Sequence, residues 1–534
     1  MRARAIMVLG TSSHVGKSLL VAALCRIFSR QGIRVAPFKS QNMSLNSAAT
    51  VEGLEIGRAQ ALQAEAAGIP ASVHMNPILI KPSGDMTSQI VVRGKIWGTL
   101  SAKDYHQRRV QELMPVIRES YEALAEEYDV IILEGAGSPA EINLKQNDIV
   151  NMRMAELADA HCLLVGDIDR GGVFASLLGT VELLDPNEQL RIHGFAINKF
   201  RGDINLLEPG IHMIEARLNK PCLGVIPYLP QLELDEEDSL GMPAPEDTSW
   251  HLEDSPNRPL RIAVLALPSF SNFTDFDALR SEPSVSLRFC RTADQLRQAD
   301  LVVLPGSKQT VDDLLWLRKQ QLDHAIIMHA KNNIVIGICG GMQMLGESIA
   351  DPLGMECIGE VAGLALLPIR TSMQAHKVTN LAYGAFAASS LFNQPSENLD
   401  LSGYEIHIGE TFYQDNAQPF AHITRATDPS AQHPDGGISS NGQVIGTYLH
   451  GIFDQDGFRH AFLTAARIFY GLSPAPDYEC WKARREVSLN RLATAVEQAL
   501  DMQRIFAWVN RTYRPSAGDH VEQPIPINHA EEVS

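Results

Sequence analysis

Short apolar runs alternate with amphipathic segments along most of the chain. The first run, 5–9, leads into a glycine-bounded loop at 10–18 and then into an apolar-periodic segment at 19–28, which predicts strand, loop and helix. Continuous apolar runs are typical of strands buried on both faces of a parallel sheet. Further predicted strands lie at 34–38, 128–133, 161–167, 194–198 and 223–227. The pattern therefore predicts an α/β domain with one parallel sheet covered by helices.

A second α/β domain is predicted after a change in composition. From 232 to 259 the chain is acidic and rich in proline and loses its apolar period, which indicates a linker or a long surface connection. The strand and helix rhythm then resumes, and we expect the last helices to pack on this second domain and a polar tail to be disordered. The predicted division is 1–231 for the first domain, 232–259 for the linker, 260–472 for the second domain, 473–512 for the C-terminal helices and 513–534 for the tail.

Composition narrows the classes of function. The chain has 534 residues and a formal net charge of −18, which argues against a nucleic-acid partner. The seven cysteines are scattered without a Cys-x-x-Cys pair, which indicates reduced thiols rather than disulfides or a zinc site. No segment is long and apolar enough to predict a membrane span, and the N-terminal run is too short for a signal peptide. We therefore expect a cytoplasmic protein with small-molecule partners, as a monomer or a homo-oligomer.

The loop after the first strand predicts a nucleotide site. Gly10 and Gly16 bound the loop, and Lys17 and Ser18 begin the predicted helix. In such a loop the backbone N–H groups bind phosphate oxygens, the lysine reaches the β- and γ-phosphates of ATP, and the serine hydroxyl binds Mg²⁺. Five residues separate the glycines where the usual pattern has four, so Thr11 stands where the first glycine is expected. The alternative is an ordinary strand-to-helix turn.

Two other strand ends place polar groups beside that loop. The strand at 34–38 is followed by a hydroxyl- and amide-rich segment, 39–47, and the strand at 128–133 ends in Glu134. Open α/β sheets bind ligands at the carboxyl ends of their strands, where an acidic residue is suited to hold Mg²⁺ directly or through water. We therefore predict Glu134, together with Ser18, as the metal-binding pair. The alternative for Glu134 is a structural role as a helix cap.

The phosphate loop and the Glu-Gly-Ala-Gly segment at 134–137 resemble those of dethiobiotin synthetase and the corrin-ring amidases. The resemblance implies a P-loop fold that activates carboxylates with ATP and uses the glutamate to hold Mg²⁺. It also implies that Lys39 faces the nucleotide phosphates and the acceptor. By likeness to related P-loop proteins, Asn198 at its strand end is the candidate that contacts the base.

The second domain contains a candidate nucleophile. An apolar run at 333–338 leads through Cys339, Gly340 and Gly341 into a helix, which is the strand, sharp turn and helix of a nucleophile elbow. Such a turn exposes the thiol at a helix N-terminus, where the helix dipole favours the thiolate. The backbone N–H of Gly340 and the turn that contains Gly306 are the predicted oxyanion donors. The alternative is a buried structural cysteine.

A general base is predicted much later in the chain. His450 follows a strand and precedes a glycine, and His407 is its rival. The pattern Gly-x-Cys-x-Gly-x-Gln at 337–343 with a later histidine resembles a class I glutamine amidotransferase domain. The resemblance implies that Cys339 and His450 are catalytic and that Gln343 belongs to the glutamine site. The glutamate usually found two residues after the histidine is absent, since Ile452 holds that position, as in the corrin-amidase branch.

The resemblance to the cobyric acid synthase family extends from about residue 5 to about residue 490. It implies ATP- and glutamine-dependent amidation of the b, d, e and g carboxylates of adenosylcobyrinic acid a,c-diamide to adenosylcobyric acid, in cobalamin biosynthesis. The alternatives are a cobyrinic acid a,c-diamide synthase and a partition-type P-loop ATPase that amidates nothing. The segments that carry the resemblance are Lys-Ser-Gln-Asn-Met at 39–43, Glu-Ile-Gly-Arg-Ala-Gln at 55–60, Ser-Asn-Phe-Thr-Asp-Phe-Asp at 271–277, Leu-Pro-Gly-Ser-Lys at 304–308, Gly-Tyr-Glu-Ile-His at 403–407 and His-Gly-Ile-Phe-Asp at 450–454.

Overall fold

The structure is a computed structural model in which two α/β domains follow one another along the chain. It describes residues 2–83, 87–230, 232–235, 250, 255–356, 359–396, 399–415, 417–475 and 478–514, without the side chains of 106–109. Most of the predicted linker and most of the predicted tail therefore lie outside the described residues. No helix in these ranges is long and apolar enough to cross a membrane.

The first domain alternates strands and helices. Its strands are β1 Arg4–Gly10, β2 Val35–Phe38, β3 Gln41–Met43, β4 Ser47–Ala49, β5 Glu55–Gly57, β6 Ile78–Pro82, β7 Thr87–Val92, β8 Lys95–Ser101, β9 Val130–Glu134, β10 His161–Asp167, β11 Ile192–Phe200 and β12 Cys222–Pro227. Its helices are α1 Lys17–Arg30, α2 Arg58–Ala67, α3 Ala102–Glu127, α4 Met152–Ala158, α5 Val173–Glu182, α6 Pro186–Arg191 and α7 Ile204–Leu218.

The main sheet of this domain is parallel, as predicted. Its strand order is β12-β11-β10-β1-β9-β2, and all its pairs are parallel. β9 is buried along its whole length and β1 from its second residue onward, because helices cover both faces of the sheet. The carboxyl ends of these strands bring the phosphate loop, Glu134 and Asn198 to one edge. A smaller sheet, β3-β6-β7-β8, and the pair β4-β5 lie after β2.

The second domain contains more strands than its apolar runs predicted. Its strands are β13 Leu260–Leu265, β14 Val285–Cys290, β15 Leu301–Leu304, β16 Ile334–Ile338, β17 Ser348–Asp351, β18 Gly359–Ala362, β19 Ile369–Phe386, β20 Ser390–Leu391, β21 Gln394–Pro395, β22 Asp400–Tyr413, β23 Ala421–Arg425, β24 Asp428–Asp435, β25 Gly437–Ile438, β26 Val444–Thr447 and β27 Leu449–His450. The helices from here to the end of the described chain are α8 Asp277–Arg280, α9 Ala293–Gln298, α10 Thr310–Lys319, α11 Leu322–His329, α12 Gly340–Leu345, α13 Asp456–Phe469, α14 Trp481–Ala499 and α15 Met502–Trp508.

Two sheets build this domain. One has the order β14-β13-β15-β16-β26-β25 and is parallel except for β25, which confirms the predicted α/β class. The other, β18-β17-β19-β22-β27 with β23 and β24 beside it, is mostly antiparallel. Its long strands β19 and β22 mix buried and exposed positions, so no continuous apolar run indicated them. β27 of this second sheet carries His450 next to the carboxyl edge of the first.

The expected packing of the C-terminal helices on the second domain is wrong for most of their length. Trp481, at the start of α14, does join the core of the second domain. Leu489, Leu492 and Phe506 instead join a core cluster of the first domain, and Phe506 stacks on Phe28 of α1 with ring centroids 4.2 Å apart. A helical period indicates that one face is buried but not which element covers it.

The beginning of the predicted linker is buried. Asp235 is 5% exposed and pairs with Arg58 of α2 and Arg485 of α14, with N–O distances of 3.0 and 2.8 Å. These two guanidinium groups outweigh the burial of Asp235 and hold the pKa of its carboxyl well below its usual range. Residues 232–235 therefore belong to the contact between α2 and α14, while the domain division itself stays a prediction.

Candidate active sites

The loop between β1 and α1 has a backbone that requires glycine. Gly16 has a φ of 95°, and a Cβ there would lie 2.4 Å from Nδ2 of Asn198. A Cβ on Gly10 would lie 2.7 Å from a methyl group of Val15 and 2.8 Å from Nζ of Lys17. Both glycines thus let the loop turn tightly around the lysine side chain, whereas Thr11 between them is not subject to this restriction.

Lys17 lies inside the curve of this loop. Its Nζ donates to the carbonyl oxygen of Ser12 at 2.9 Å and to that of Gly137 at 3.1 Å. Gly137 belongs to the segment that follows β9 and has a φ of 56°. The ammonium group is therefore held between the phosphate loop and the end of β9, and its contact with phosphates stays a prediction.

Glu134 collects the polar groups predicted around the phosphate loop. Its Oε1 accepts hydrogen bonds from Oγ of Ser18 at 2.8 Å and from Nζ of Lys39 at 2.9 Å. Its Oε2 accepts from Nε2 of Gln63 at 2.6 Å. Glu134 is 1% exposed, so Lys39 supplies the positive charge that a buried carboxylate requires. Gln63 was missed because a glutamine in an alanine-rich helix carries no distinctive signal.

Asn198 contacts the phosphate loop from β11. Its Nδ2 donates to the carbonyl oxygen of Val15 at 2.7 Å, and its Oδ1 accepts from the backbone N–H of Lys199 at 2.8 Å. Lys199, which the sequence analysis did not single out, donates from Nζ to the carbonyl oxygen of His14 at 2.7 Å and to Asp167 at 2.8 Å. The two side chains fix the shape of the loop, and the contact of Asn198 with a base stays a prediction.

Cys339 occupies a strained turn between β16 and α12. Its φ is 51° and its ψ is −110°, values that a residue with a side chain rarely adopts. A Cβ on Gly341 would lie 2.0 Å from the carbonyl oxygen of Leu304, and one on Gly337 would lie 2.6 Å from the backbone N of Met342. These glycines are needed for the backbone to pass so close to its neighbours. The geometry is that of the predicted nucleophile elbow.

His450 contacts both Cys339 and a carboxylate. It forms a side-chain hydrogen bond with Cys339, and its Nδ1 donates to Oδ2 of Asp275 at 2.7 Å. Asp275 also accepts from the backbone N–H of Gly451 at 2.9 Å. Burial lowers the pKa of His450, but the charge of Asp275 and the hydrogen bonds with Asp275 and Cys339 outweigh it and raise that pKa to about 10. His450 is therefore protonated at neutral pH in this arrangement.

Asp275 is the member of this cluster that the sequence analysis missed. It lies in the one-turn helix Phe273–Phe276 after β13, within the segment 271–277 that served only to identify the family. Ile452, at the position of the usual glutamate, is only 2% exposed and belongs to the apolar core of the second domain. An aspartate in a polar segment after a buried strand was the available signal, but sequence spacing does not reveal its contact with a histidine 175 residues later.

The rival histidine has other partners. Nδ1 of His407 bonds the carbonyl oxygen of Gly409 at 2.7 Å, and Nε2 lies 3.3 Å from Oε1 of Glu405. Glu405 in turn accepts two hydrogen bonds from Arg425, at 2.6 and 2.9 Å. His407 lines the cavity that also contains Cys339 and His450. Both of its ring nitrogens, however, contact groups other than Cys339.

The predicted oxyanion turn lies directly beside the elbow. A Cβ on Gly306 would lie 2.9 Å from Cε1 of His450, and one on Gly340 would lie 3.0 Å from the backbone N of Ser307. The backbones after β15 and β16 thus meet next to Cys339. Gln343, one turn into α12, donates from Nε2 to Oη of Tyr448 at 3.2 Å and lines the cavity.

The sequence of this chain matches known proteins over both domains. Residues 6–240 match a family described as CobQ/CobB/MinD/ParA nucleotide binding domain, and residues 261–458 match CobB/CobQ-like glutamine amidotransferase domain. A solved structure of PurLQS from Thermotoga maritima aligns with a TM-score of 0.31 at 15% identity, over 40% of this chain and 97% of that one, a likeness too low to carry an argument.

Curated relatives match almost the whole length. A protein named cobyric acid synthase from Clostridium botulinum (strain 657 / Type Ba4) is 46% identical over 94% of this chain and 98% of its own. A protein of the same name from Moorella thermoacetica is 48% identical over 95% of this chain and 97% of its own. With a nucleotide-binding domain, a glutamine amidotransferase domain and this agreement, the chain belongs to the cobyric acid synthase family.

Proposed function

We propose that this protein amidates the b, d, e and g carboxylates of adenosylcobyrinic acid a,c-diamide with ammonia from glutamine, at the expense of ATP. The observation that carries the proposal is the presence, in one chain, of a Cys339–His450–Asp275 cluster and a phosphate loop with Lys17 and Glu134 at its edge. The relatives described above, which match 94% and 95% of the chain, are both named cobyric acid synthase, which supports this reaction over that of a diamide synthase or a partition-type ATPase.

The second domain supplies the glutaminase step. The Sγ of Cys339 attacks the carboxamide carbon of glutamine, while the N–H groups of Gly340 and of the turn at Gly306 receive the negative charge on the oxygen. His450 donates its proton to the departing ammonia, and Asp275 stabilises the imidazolium and fixes its orientation. Water then hydrolyses the thioester with His450 as the base. Gln343 belongs to the wall that positions the substrate.

The first domain supplies the activation step. A carboxylate is a poor electrophile, and transfer of the γ-phosphoryl group of ATP to it gives an acyl phosphate that ammonia can attack. The loop from Gly10 through Thr11 to Gly16 surrounds the phosphates, Lys17 and Lys39 neutralise their charge, and Asn198 is the candidate for contact with the base. The oxygen atoms of Ser18 and Glu134 lie 2.8 Å apart.

Those two oxygens fit a Mg²⁺ ion that completes its shell with phosphate oxygens and water. Mg²⁺ commonly takes only one or two protein ligands beside phosphate oxygens and water. When bound, the ion supplies charge neutralisation to the phosphoryl group. The ammonium group of Lys39, on the same oxygen of Glu134, shares this role.

Product analysis tests the proposal. The purified protein is incubated with ATP, Mg²⁺ and glutamine and with either adenosylcobyrinic acid a,c-diamide or cobyrinic acid, and the corrinoid product is examined by mass spectrometry. We expect four amidations of the a,c-diamide and none at the a and c positions of cobyrinic acid. The variant Lys17→Ala should form no amide with glutamine or ammonia. Amidation limited to the a and c positions would favour the diamide synthase instead.

A further inference from the structure

The cavity that contains Cys339 is built by both domains. Cys339 and His450 come from the second domain, whereas Lys81 and Gln89 come from β6 and β7 of the first. Lys81 and Gln89 stand directly opposite each other in the antiparallel pair β6 and β7, so their side chains point to the same face.

Two polar side chains of this cavity have no direct partner among the described residues. Gln89 is 7% exposed, and its Oε1 accepts no hydrogen bond there. The ammonium group of Lys308 forms no hydrogen bond or ion pair with those residues; burial lowers its pKa, and Glu356 and Glu55 act on it only through their charge. A buried acceptor without a donor is costly, so its retention points to a partner that arrives with a ligand.

The other two lysines of the cavity share one carboxylate. Nζ of Lys81 lies 2.7 Å from Oε1 of Glu55 and donates to Oγ of Ser47 at 3.0 Å. Nζ of Lys377 lies 2.5 Å from Oε2 of the same carboxylate. One carboxylate thus pairs with two ammonium groups, and Lys308 is the lysine of the described lining that has no carboxylate in contact. Among the described residues that line the cavity, Nζ of Lys308 and Oε1 of Gln89 are thus two polar groups left without a direct hydrogen-bond partner.

We infer that Gln89 and Lys308 recognise the two charged groups at the α-carbon of the substrate glutamine. The α-carboxylate accepts from Nζ of Lys308, and the α-ammonium group donates to Oε1 of Gln89. The inference rests on the proposed glutaminase step, in which the carboxamide at the other end of the substrate lies at Cys339. A cation and an acceptor are the complementary pair for an amino acid zwitterion, and buried polar groups reject analogues that leave them unpaired.

The first domain thereby takes part in the binding of glutamine. Because Gln89 belongs to β7, the glutamine site is complete only when the two domains are in contact. Substrate glutamine would then be held by the same domain that receives its ammonia. A glutaminase domain alone would lack the group that selects the α-ammonium end.

The test uses the full chain and three amide substrates. These are glutamine, glutaramate, which lacks the α-amino group, and 4-aminobutanamide, which lacks the α-carboxylate. For Gln89→Met and Lys308→Met we expect the KM for glutamine to rise about 10- to 100-fold with a small change in kcat, the size of a lost hydrogen bond to a charged group. Gln89→Glu and Lys308→Arg, which keep the acceptor and the cation, should lie near the parent protein.

The pattern across the substrates separates recognition from structural damage. Gln89→Met should lose the preference for glutamine over glutaramate and keep the preference over 4-aminobutanamide, and Lys308→Met should show the reverse. Matched controls are Ser88→Ala, on the opposite face of β7, and Lys95→Met, an exposed lysine of β8. Amidation with ammonium salt should stay within about twofold in all variants, since that route bypasses glutamine.

Equal losses with all three amides, or a parallel loss of ammonia-dependent amidation, would overturn the inference. A parent protein that hydrolyses no glutamine in the presence of ATP and corrinoid would instead remove the proposed function on which the inference rests. Glutamine hydrolysis by the parent with unchanged selectivity in both methionine variants would remove the inference alone.

Discussion

At the scale of single residues, Asp275 provides the carboxylate that the position after His450 does not. A carboxylate beside a catalytic histidine fixes the orientation of the ring and stabilises its charged form, and it does so from any element that brings it within hydrogen-bond distance. Here the one-turn helix after β13 supplies it, with Oδ1 held by Gly451 and Oδ2 by His450. The cluster therefore brings a thiol, an imidazole and a carboxylate into contact, as the proposed glutaminase step requires.

Removal of the nucleophile should separate the two half-reactions. In Cys339→Ala no thioester can form, so amidation with glutamine should fall by at least about a thousandfold. The first domain contains none of that chemistry, and ammonium salt should restore amidation, increasingly as the pH rises and more ammonia is unprotonated. The measurement is amide formation with each nitrogen source. Glutamine use by Cys339→Ala near the parent rate would place the nucleophile elsewhere.

Substitution of Asp275 should shift the pH dependence of the glutaminase. The parent His450 has a pKa raised to about 10, so its proton is present at neutral pH and is lost as the pH rises towards that value. In Asp275→Asn burial acts without the compensating charge, so the pKa of His450 falls and its proton is lost at lower pH. We expect a drop in kcat/KM of about 100-fold or more and an alkaline limb displaced to lower pH.

Asp277→Asn is the matched control for this prediction. Burial raises the pKa of Asp277 to about 8, so its carboxyl is mostly neutral at pH 7 and an amide of similar shape should be tolerated. Ammonia-dependent amidation by both variants checks that the first domain is intact. An unchanged alkaline limb in Asp275→Asn would assign Asp275 to stability rather than to His450.

The same linkage affects stability. A histidine whose pKa is higher in the folded state stabilises that state below its ordinary pKa of about 6.5, and this contribution disappears as the pH rises to about 10. Asp275→Asn should therefore lose stability mainly at acidic and neutral pH and approach the parent protein at alkaline pH.

At the scale of elements, the sequence predicted those strands that are buried on both faces. β1, β9 and β16 are apolar without interruption, because helices cover both sides, and the loops after them carried the predicted groups. β19 and β22 belong to a sheet with partly exposed positions, and their mixed pattern was not distinctive. Helical periodicity indicated the C-terminal helices, but contacts with a distant part of the chain decided where α14 and α15 pack.

The packing of α15 on α1 leads to a prediction about the first domain. Phe506 is fully buried and stacks on Phe28. Phe506→Ala should destabilise this contact by about 3–5 kcal/mol, the usual cost of a large aromatic side chain lost from a core. Hydrogen exchange followed by mass spectrometry should show faster exchange in α1, with β16 of the second domain unchanged. Val487→Ala, at an exposed position of α14, is the control.

The result that contradicts this packing is faster exchange confined to the second domain. That outcome would return the C-terminal helices to the domain on which the sequence analysis expected them. Faster exchange in both domains would show instead that the contact stabilises the whole chain.

At the scale of the whole molecule, the segment 39–47 connects the two candidate sites. Lys39, at its start, contacts Glu134 beside the phosphate loop. Near its end, Oδ1 of Asn46 accepts from the backbone N–H of Phe273, and the backbone N–H of Ser47 donates to Oδ1 of Asn272. Asn272 and Phe273 precede Asp275 in the same turn. A displacement at the phosphate site therefore has a short covalent and hydrogen-bonded route to the glutaminase cluster.

The buried carboxylate of Glu55 stabilises the contact between the domains near that route. It lies between Lys81 of the first domain and Lys377 of the second and is 1% exposed. These lysines outweigh the effect of burial and hold the pKa of its carboxyl well below the usual range. In Glu55→Gln two buried ammonium groups would face each other without a counter-charge. Removal of one partner of a buried ion pair lowers the free energy of unfolding by about 3–5 kcal/mol.

We expect the domain contact to loosen in Glu55→Gln and ammonia to escape before it reaches the activated carboxylate. The ratio of glutamate formed to amide formed should rise severalfold above the parent ratio. Hydrolysis of glutamine should continue at saturating substrate because Cys339, His450 and Asp275 remain in one domain, but with a raised KM because Gln89 of the inferred glutamine site belongs to the other. Glu52→Gln, at an exposed position three residues before the start of β5, is the control. Raising the ammonium concentration should restore amidation, because supply from solution replaces transfer between domains. A ratio equal to that of the parent would show that this ion pair takes no part in coupling the two reactions.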